Sequence, residues 1–263
     1  MIRTEGLVRQ FGDVVALDHT NIEIKKDQVT VILGGSGSGK TTLLRMLSAL
    51  DAPTHGSVWF GDEDLAQLSS KRLYELRGKM GMVFQYSALL NSLNVYDNVA
   101  FPLHEHSDLD ESVIQTMVQM KLEQVGMRGF EQLMPSELSG GMAKRVAFAR
   151  AMIADPDVVF FDEPTSGLDP ISAGIVTTLI HDITKKTHMT SVVVTHDVHA
   201  ALEIADHVIL LWQGKVIAEG QADAIAQSED PRVVQFIQGR PDGPIPFSRS
   251  KTPYHEDLLR VRL

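Results

Sequence analysis

Gly34-Gly35-Ser36-Gly37-Ser38-Gly39-Lys40-Thr41 has the residue types and spacing G-x-x-x-x-G-K-[ST] of a loop that cradles phosphate. Glycines let backbone N–H groups surround an anion without a Cβ in the way. A helix starting at such a loop adds its N-terminal donors and the positive end of its dipole. Lys40 supplies a cation for the β- and γ-phosphates, and the Thr41 hydroxyl is a ligand for Mg²⁺. A glycine-rich turn of this kind can also bind nothing, so its surroundings matter. Before it, Val29 to Leu33 is a compact, largely β-branched run. After it, Leu43, Met46, Leu47 and Leu50 recur at helical spacing, which predicts one apolar helix face. Strand, glycine-rich turn and amphipathic helix come in the order a phosphate site requires.

Two more polar groups end apolar runs. Val158-Val159-Phe160-Phe161 leads into Asp162-Glu163, and Ser191-Val192-Val193-Val194-Thr195 leads into His196. Ligands bind outside the carboxyl ends of strands in open α/β sheets, so these groups are candidates for the same edge as the loop. Asp162 is read as holding Mg²⁺ and Glu163 as the general base that polarises the attacking water. The bland alternative, that the acids merely open a loop before Pro164, stands beside this reading. His196 directly follows a core strand and is placed to contact a γ-phosphate; His181, His188, His199 and His207 are read as structural.

The elements that must position these groups follow from the periodicity. Leu7 to Ile24 alternates around Gly12-Asp13, which predicts short antiparallel strands. Between about Tyr86 and Ala151 strand-like runs vanish, and Val113, Met117, Met120 and Val125 suggest a helical insertion. Strands return at Val158–Phe161, Val192–Thr195 and Val208–Trp212 with helical stretches between, the pattern of a parallel sheet covered on both faces. Trp212 to Val216 looks like a closing hairpin. From Asp230 onward the chain is rich in Pro, Gly and Arg and is expected to dock on something rather than build core.

Composition narrows the rest. The hydrophobic fraction is 43% and the charged fraction 22%, as in ordinary globular proteins. No apolar run approaches the roughly 18 to 20 residues that span a bilayer, and Met1 to Gly6 lacks the pattern of a secretion signal. A cytoplasmic chain is expected, with any membrane role carried by a partner. A formal charge of −10 without a Lys/Arg cluster argues against nucleic acid. With no cysteine there are no disulfides or thiolate metal sites.

Leu138-Ser139-Gly140-Gly141-Met142, lying between the phosphate loop and the acidic strand, resembles the signature of the ABC ATPase family. The order of motifs matches that family along nearly the whole chain. The resemblance implies an α/β P-loop NTPase: a RecA-like core with a mixed sheet, an antiparallel β subdomain and an α-helical subdomain. It implies ATP and Mg²⁺ as cofactors, with Thr42 beside the loop at the nucleotide and Phe11 stacking on adenine. Gln85 falls where the family's glutamine meets Mg²⁺ and water, and Ser166-Gly167-Leu168-Asp169 where a short loop crosses a dimer interface. Ser139, Gly140 and Gly141 become a second phosphate site that completes the active site of another copy, so a homodimer sandwiches two ATP molecules. The expected division is a core of residues 1–85 and 152–225, a helical subdomain of 86–151 and a C-terminal extension of 226–263.

Met142 departs from the usual glutamine. It resembles a subgroup, the ATPases of lipid-handling MCE-type transporters, among them that of the Mla system, which moves phospholipids between the membranes of Gram-negative cells. Pro135 to Ala143, Asn94 to Leu103, Asp230 to Val233 and Asp242 to Phe247 carry this likeness. It implies an ATPase peripheral to the inner face of the inner membrane. Its partners would be integral permease subunits, a small STAS-domain protein reached by the tail, and an MCE-domain lipid-binding subunit. A groove near Gln85 to Pro102 would pull on a permease helix. The alternatives are the motor of a transporter for another substrate and a non-transport ABC ATPase.

Overall fold

Strand alternation decides how the layers stack. In the computed structural model, which describes residues 1–245, Val31 and Leu33 pack into one core and Ile32, between them, into another. A sheet buried on both faces needs covers on both sides. Here one is helical and the other is a second sheet together with one helix.

β1 (Ile2–Phe11) and β2 (Val14–Thr20) form a hairpin across Gly12-Asp13, and β3 (Glu23–Ile24) pairs back onto β1. β4 (Val29–Gly34) runs through the phosphate loop into α1 (Lys40–Leu47). β5 (His55–Phe60) and β6 (Glu63–Asp64) complete an antiparallel sheet ordered β2-β1-β5-β6. After α2 (Ser70–Arg77) and β7 (Met80–Val83) come α3 (Val95–His106), α4 (Glu111–Gln124) and α5 (Gly140–Met152). Among the described residues no strand interrupts 86–151. β8 (Val158–Asp162), α6 (Pro170–Thr187), β9 (Thr190–Thr195), α7 (Val198–Ile204) and β10 (His207–Trp212) then alternate. β11 (Lys215–Gln221), α8 (Ala222–Ala226) and α9 (Pro231–Gln238) close the described chain.

The second sheet is ordered β11-β10-β4-β9-β8-β7 and is parallel except for the edge strand β11. Gln213 and Gly214, at φ 46° and 76°, make the turn of that hairpin, as the right-handed twist of the strands favours. Helices α3, α4 and α5 pack on the face carrying Val159 and Phe161, where Phe148 of α5 meets Phe161 edge to face at 4.9 Å. α1 and the antiparallel sheet cover the face carrying Val158 and Phe160.

Three expectations need correction. α1 ends at Leu47 because Ala49 turns left-handed at φ 57°, so Leu50 leaves the apolar face and is exposed. On α4 the inward face is Ile114, Val118 and Leu122, while Val113 and Met120 face out. Only Val125 of the named set is fully buried, just past the helix end, with Met117 packed at the core's margin. The tail also contributes to the core: Val233 of α9 is 1% exposed. Pro246, Phe247 and the rest of the tail lie outside the described residues.

Candidate nucleotide site

The parallel register brings the predicted groups to one edge. Leu211 pairs with Gly34, Leu33 with Thr195, Val194 with Asp162 and Phe161 with Val83. Five neighbouring strands therefore end together. The loops they deliver carry Gly34–Thr41, Asp162-Glu163, His196 and Gln85.

The loop's glycines are set partly by its protein neighbours. A Cβ on Gly34 would lie 2.4 Å from the Leu211 carbonyl oxygen. Gly39, at φ 102°, precedes α1, and a Cβ there would lie 2.5 Å from the Ala16 carbonyl oxygen. β2 and β10 thus press the loop into shape from behind, leaving its other side open. Lys40 is buried and donates to the carbonyls of Gly34 at 2.9 Å and Gly35 at 3.1 Å, 3.9 Å from Glu163 Oε1. Burial lowers its pKa, while the carboxylates of Glu163 and Asp162 oppose that shift. The Ser38 hydroxyl is buried with no hydrogen-bond partner among the described residues.

Thr41 donates its hydroxyl to Asp162 Oδ1 at 3.2 Å. Burial pushes the Asp162 carboxyl up from its ordinary range, and the Thr41 hydrogen bond works against that rise. Glu163 leaves the strand in the left-handed region, φ 48°, which costs a non-glycine residue on the order of 1–3 kcal/mol. Its N–H donates to the Val194 carbonyl at 2.9 Å. The turn aims its side chain at His196, whose Nδ1 lies 2.9 Å from Glu163 Oε2 and donates to it.

A cavity of about 950 Å³ opens over this edge. Gly35, Ser36, Gly37, Lys40 and Thr41 line one side, and Gln85, Glu163 and His196 another. The described tail, from Gln235 through Arg240 to Ile245, forms a further wall. There the Gln235 side chain clamps the loop by accepting from Ile245 N–H at 2.7 Å and donating to its carbonyl at 3.0 Å.

Other predicted residues lie apart from this cavity. Phe11 is half exposed at the tip of the β1–β2 hairpin, with the Arg9 guanidinium 4.6 Å above its ring. Thr42 is half-buried in the first turn of α1. Ser139 and Gly140 are exposed at the start of α5, where Ser139 Oγ accepts from Met142 N–H at 3.3 Å, and Gly141 is buried behind them. A Cβ on Gly140 would meet Leu168, and one on Gly141 would meet Ser172. The signature glycines therefore allow α5 to approach the Ser166–Asp169 loop and α6 closely.

Comparison with known proteins decides the family. The ABC transporter family model matches residues 17–166. The ATP-binding protein MlaF of an intermembrane phospholipid transport system in Haemophilus influenzae is 46% identical over 259 residues, 98% of each chain. The chain belongs to the ABC transporter family.

The protein of the same name in Escherichia coli K12 is 46% identical over 94% of this chain and 92% of its own. A dimeric post-hydrolysis structure of the ATP-binding cassette MJ0796, bound to ADP and Pi, aligns with a TM-score of 0.77. It is 30% identical over 84% of this chain and 99% of that one. The present chain is accordingly an ATP-binding, ATP-hydrolysing subunit of an ABC transporter. Its mixed sheet, antiparallel sheet and helices are those of a P-loop cassette.

The residues present suit Mg²⁺ with a nucleotide. Thr41 and Asp162 offer hard oxygen donors 3.2 Å apart, and Gln85 adds an amide. Mg²⁺ is commonly held by one or two carboxylates together with substrate phosphates. No group of three or more His, Cys, Asp or Glu among the described residues is placed to hold a metal ion.

Sequence reasoning missed three polar residues that build the surroundings. Lys144 of α5 is 5% exposed and donates to the Gln85 and Glu163 carbonyls. Arg150 donates to the Ser87 and Ala88 carbonyls at 2.9 and 2.8 Å. Asn98, fully buried, donates to the Leu90, Leu93 and Asn94 carbonyls. Lys144 had a signal: Gly141, Lys144, Phe148 and Met152 recur on one helix face, placing a lysine in a core stripe.

Proposed function

We propose that this ABC ATPase drives movement of phospholipid between the inner and outer membranes. The observation that carries the reading is 46% identity along 98% of both chains to the H. influenzae MlaF. The signature Ser139-Gly140-Gly141-Met142 and the extension beyond Asp230 point the same way.

In this reading the Gly35–Thr41 loop grips the phosphates with backbone N–H groups, and Lys40 neutralises their charge. Thr41, Asp162 and Gln85 hold Mg²⁺, which polarises phosphoryl oxygens when bound. Glu163 accepts the proton of the attacking water, and His196 orients Glu163 while its exposed face contacts the γ-phosphate. Phe11 stacks on adenine at the margin, and Thr42 supports the phosphates from the first turn of α1. The site is finished by Ser139, Gly140 and Gly141 of a second copy, whose helix N-terminus adds donors to the same anion. A symmetric dimer places both copies correctly, and the dimeric MJ0796 cassette supports such pairing.

The functional division is a core of 1–85 and 152–225, a helical subdomain of 86–151 and an extension of 226–263. ATP held between two copies favours the closed pair, because it then touches both at once. Closure swings the helical subdomain, and the stretch from Gln85 to Pro102 pulls on a permease helix. No described helix is long and apolar enough to cross a membrane. The ATPase sits at the cytoplasmic face of the inner membrane through permease subunits, as the likeness to MlaF suggests. A STAS-domain protein and an MCE-domain lipid-binding subunit complete the assembly, with no nucleic acid.

The test is reconstitution with the permease in vesicles, following labelled phospholipid between two membranes. ATP-dependent lipid movement that Glu163→Gln abolishes supports the reading. ATP turnover stimulated by a different solute, with no lipid moved, overturns the substrate but leaves the ATPase standing.

A further inference from the structure

We propose that Lys144 is a positioning residue for hydrolysis. It ties the signature helix α5 to the peptide units of Gln85 and Glu163, so that the placement of the general base depends on where α5 sits. The inference rests on the reading of Glu163 as that base.

A buried ammonium with no carboxylate in hydrogen-bond contact is costly, so its partners matter. Lys144 Nζ donates to the carbonyl of Gln85 and to that of Glu163 at 3.4 Å. Both acceptors belong to residues that line the cavity. Lys144 does not line it, and the cation on the phosphate side is Lys40. The charges of Asp162 and Glu163 act on both buried lysines, one from the loop and one from α5. Each kind of attachment thus has its own lysine.

The conformation of Glu163 shows what the attachment achieves. A left-handed non-glycine residue persists only where its surroundings over-determine it. Here the Glu163 N–H donates to the Val194 carbonyl at 2.9 Å, and its own carbonyl accepts from the Ser166 N–H at 3.1 Å and from Lys144 Nζ at 3.4 Å. One anchor belongs to the sheet, one to the turn that follows, and one to the helix whose first residues follow Ser139. Arg150, nearly two turns further along α5, holds Ser87 and Ala88, both left-handed at φ 62° and 48°. The same helix therefore shapes the loop after Gln85 and the peptide of the base. Displacing α5 shifts both, whereas the phosphate loop, fixed by β2 and β10, stays in place.

Lys144→Met, Lys144→Arg and Glu163→Gln in the full-length chain test this by steady-state ATP hydrolysis, fluorescent-ATP binding and thermal melting. Lys144→Met is expected to lower kcat about 10- to 100-fold, the scale of a misplaced reacting group. ATP affinity and KM should stay within about twofold. Lys144→Arg, which keeps the charge and the donors, should recover most of kcat. A kcat for Lys144→Met within twofold of the parent overturns the proposal. So does a loss matched by an equal loss of folded, ATP-binding protein, or an arginine variant no better than methionine. If Glu163→Gln itself turns over normally, the reading of Glu163 falls and the inference falls with it. Lost turnover in Glu163→Gln beside normal Lys144→Met overturns the inference alone.

Discussion

The phosphate loop and the signature loop are both glycine-rich turns that open a helix, yet they are built for opposite situations. Around Gly34–Thr41 every strand of the sheet's middle contributes, Lys40 is buried, and Thr41, Asp162, Glu163 and His196 are linked by hydrogen bonds or close ion pairs. Ser139 and Gly140 are exposed, and the serine hydroxyl is occupied with capping its own helix. One half is finished by its own chain. The other lies at the surface, at the start of its helix. A half-site of the second kind acquires function only against another surface, whereas the first can hold a nucleotide alone.

The largest expected effect isolates chemistry within the first half. Glu163→Gln keeps the shape and hydrogen-bonding capacity of the side chain but removes its basicity. Phosphate release should fall by roughly 10² to 10⁴, the usual worth of a general base, with ATP binding retained. Size-exclusion chromatography should then show an ATP-stabilised dimer. Near-normal phosphate release would remove Glu163 as the base and leave the first half without one.

Mixing experiments strike at the comparison itself. Lys40→Ala should abolish ATP binding, whereas Ser139→Arg should leave binding to the monomer intact and block closure. If each site joins the loop of one copy to the signature of another, mixing the two inactive variants creates dimers with one intact site. Activity should reappear on mixing. A chain carrying both substitutions, mixed with the parent, makes hybrid dimers with neither site intact and should restore nothing. No recovery from the two single variants would show that the halves are not shared in this way.

Much of this layout was legible in the residues. β4, β8, β9 and β10 are dense β-branched or aromatic runs whose length and ends are strong signals, and the groups at their tips were placed on one edge correctly. The roles proposed for those groups remain for the experiments above. The helical region was harder. α4 carries apolar residues on two faces, so Val113 and Met120 make as good a stripe as Ile114, Val118 and Leu122, and only packing against α3 and α5 separates them. Lys144 and Arg150 pair with backbone carbonyls, and Asn98 pairs with backbone carbonyls and the Leu90 N–H. A carbonyl is available at every residue, so no side-chain pattern points to it. The left-handed turns at Ala49 and Glu163 are likewise set by tertiary context.

A smaller change sharpens the contact between the two glycine-rich regions and their supports. Gly141→Ala brings a methyl to 3.1 Å from Ser172 Cβ, so α5 and α6 must part slightly. Overpacking of this sort costs about 1–3 kcal/mol, readable as a lower denaturation midpoint. ATP binding by the phosphate loop should be unchanged.

The tail gives the finest test, because it touches the finished half from outside. Ending the chain after Glu229 would remove Val233 from the core and cost about 1.5–3 kcal/mol from that side chain alone. Loss of partner binding in that variant would say little about docking. Ending it after Ile245 instead keeps α9, the Gln235 clamp and the cavity wall. If its melting temperature matches the parent, weaker pairing or loss of the proposed STAS-domain partner would belong to the residues beyond. Arg240→Ala separates the remaining contribution. A cation lining the same cavity as Lys40 adds to phosphate attraction but is exposed and screened, so its removal should raise KM for ATP only about two- to fivefold. The effect should shrink as salt is raised, with kcat unchanged. A KM indifferent to both Arg240→Ala and salt would make the tail a bystander at the nucleotide, and the phosphate-loop half complete without it.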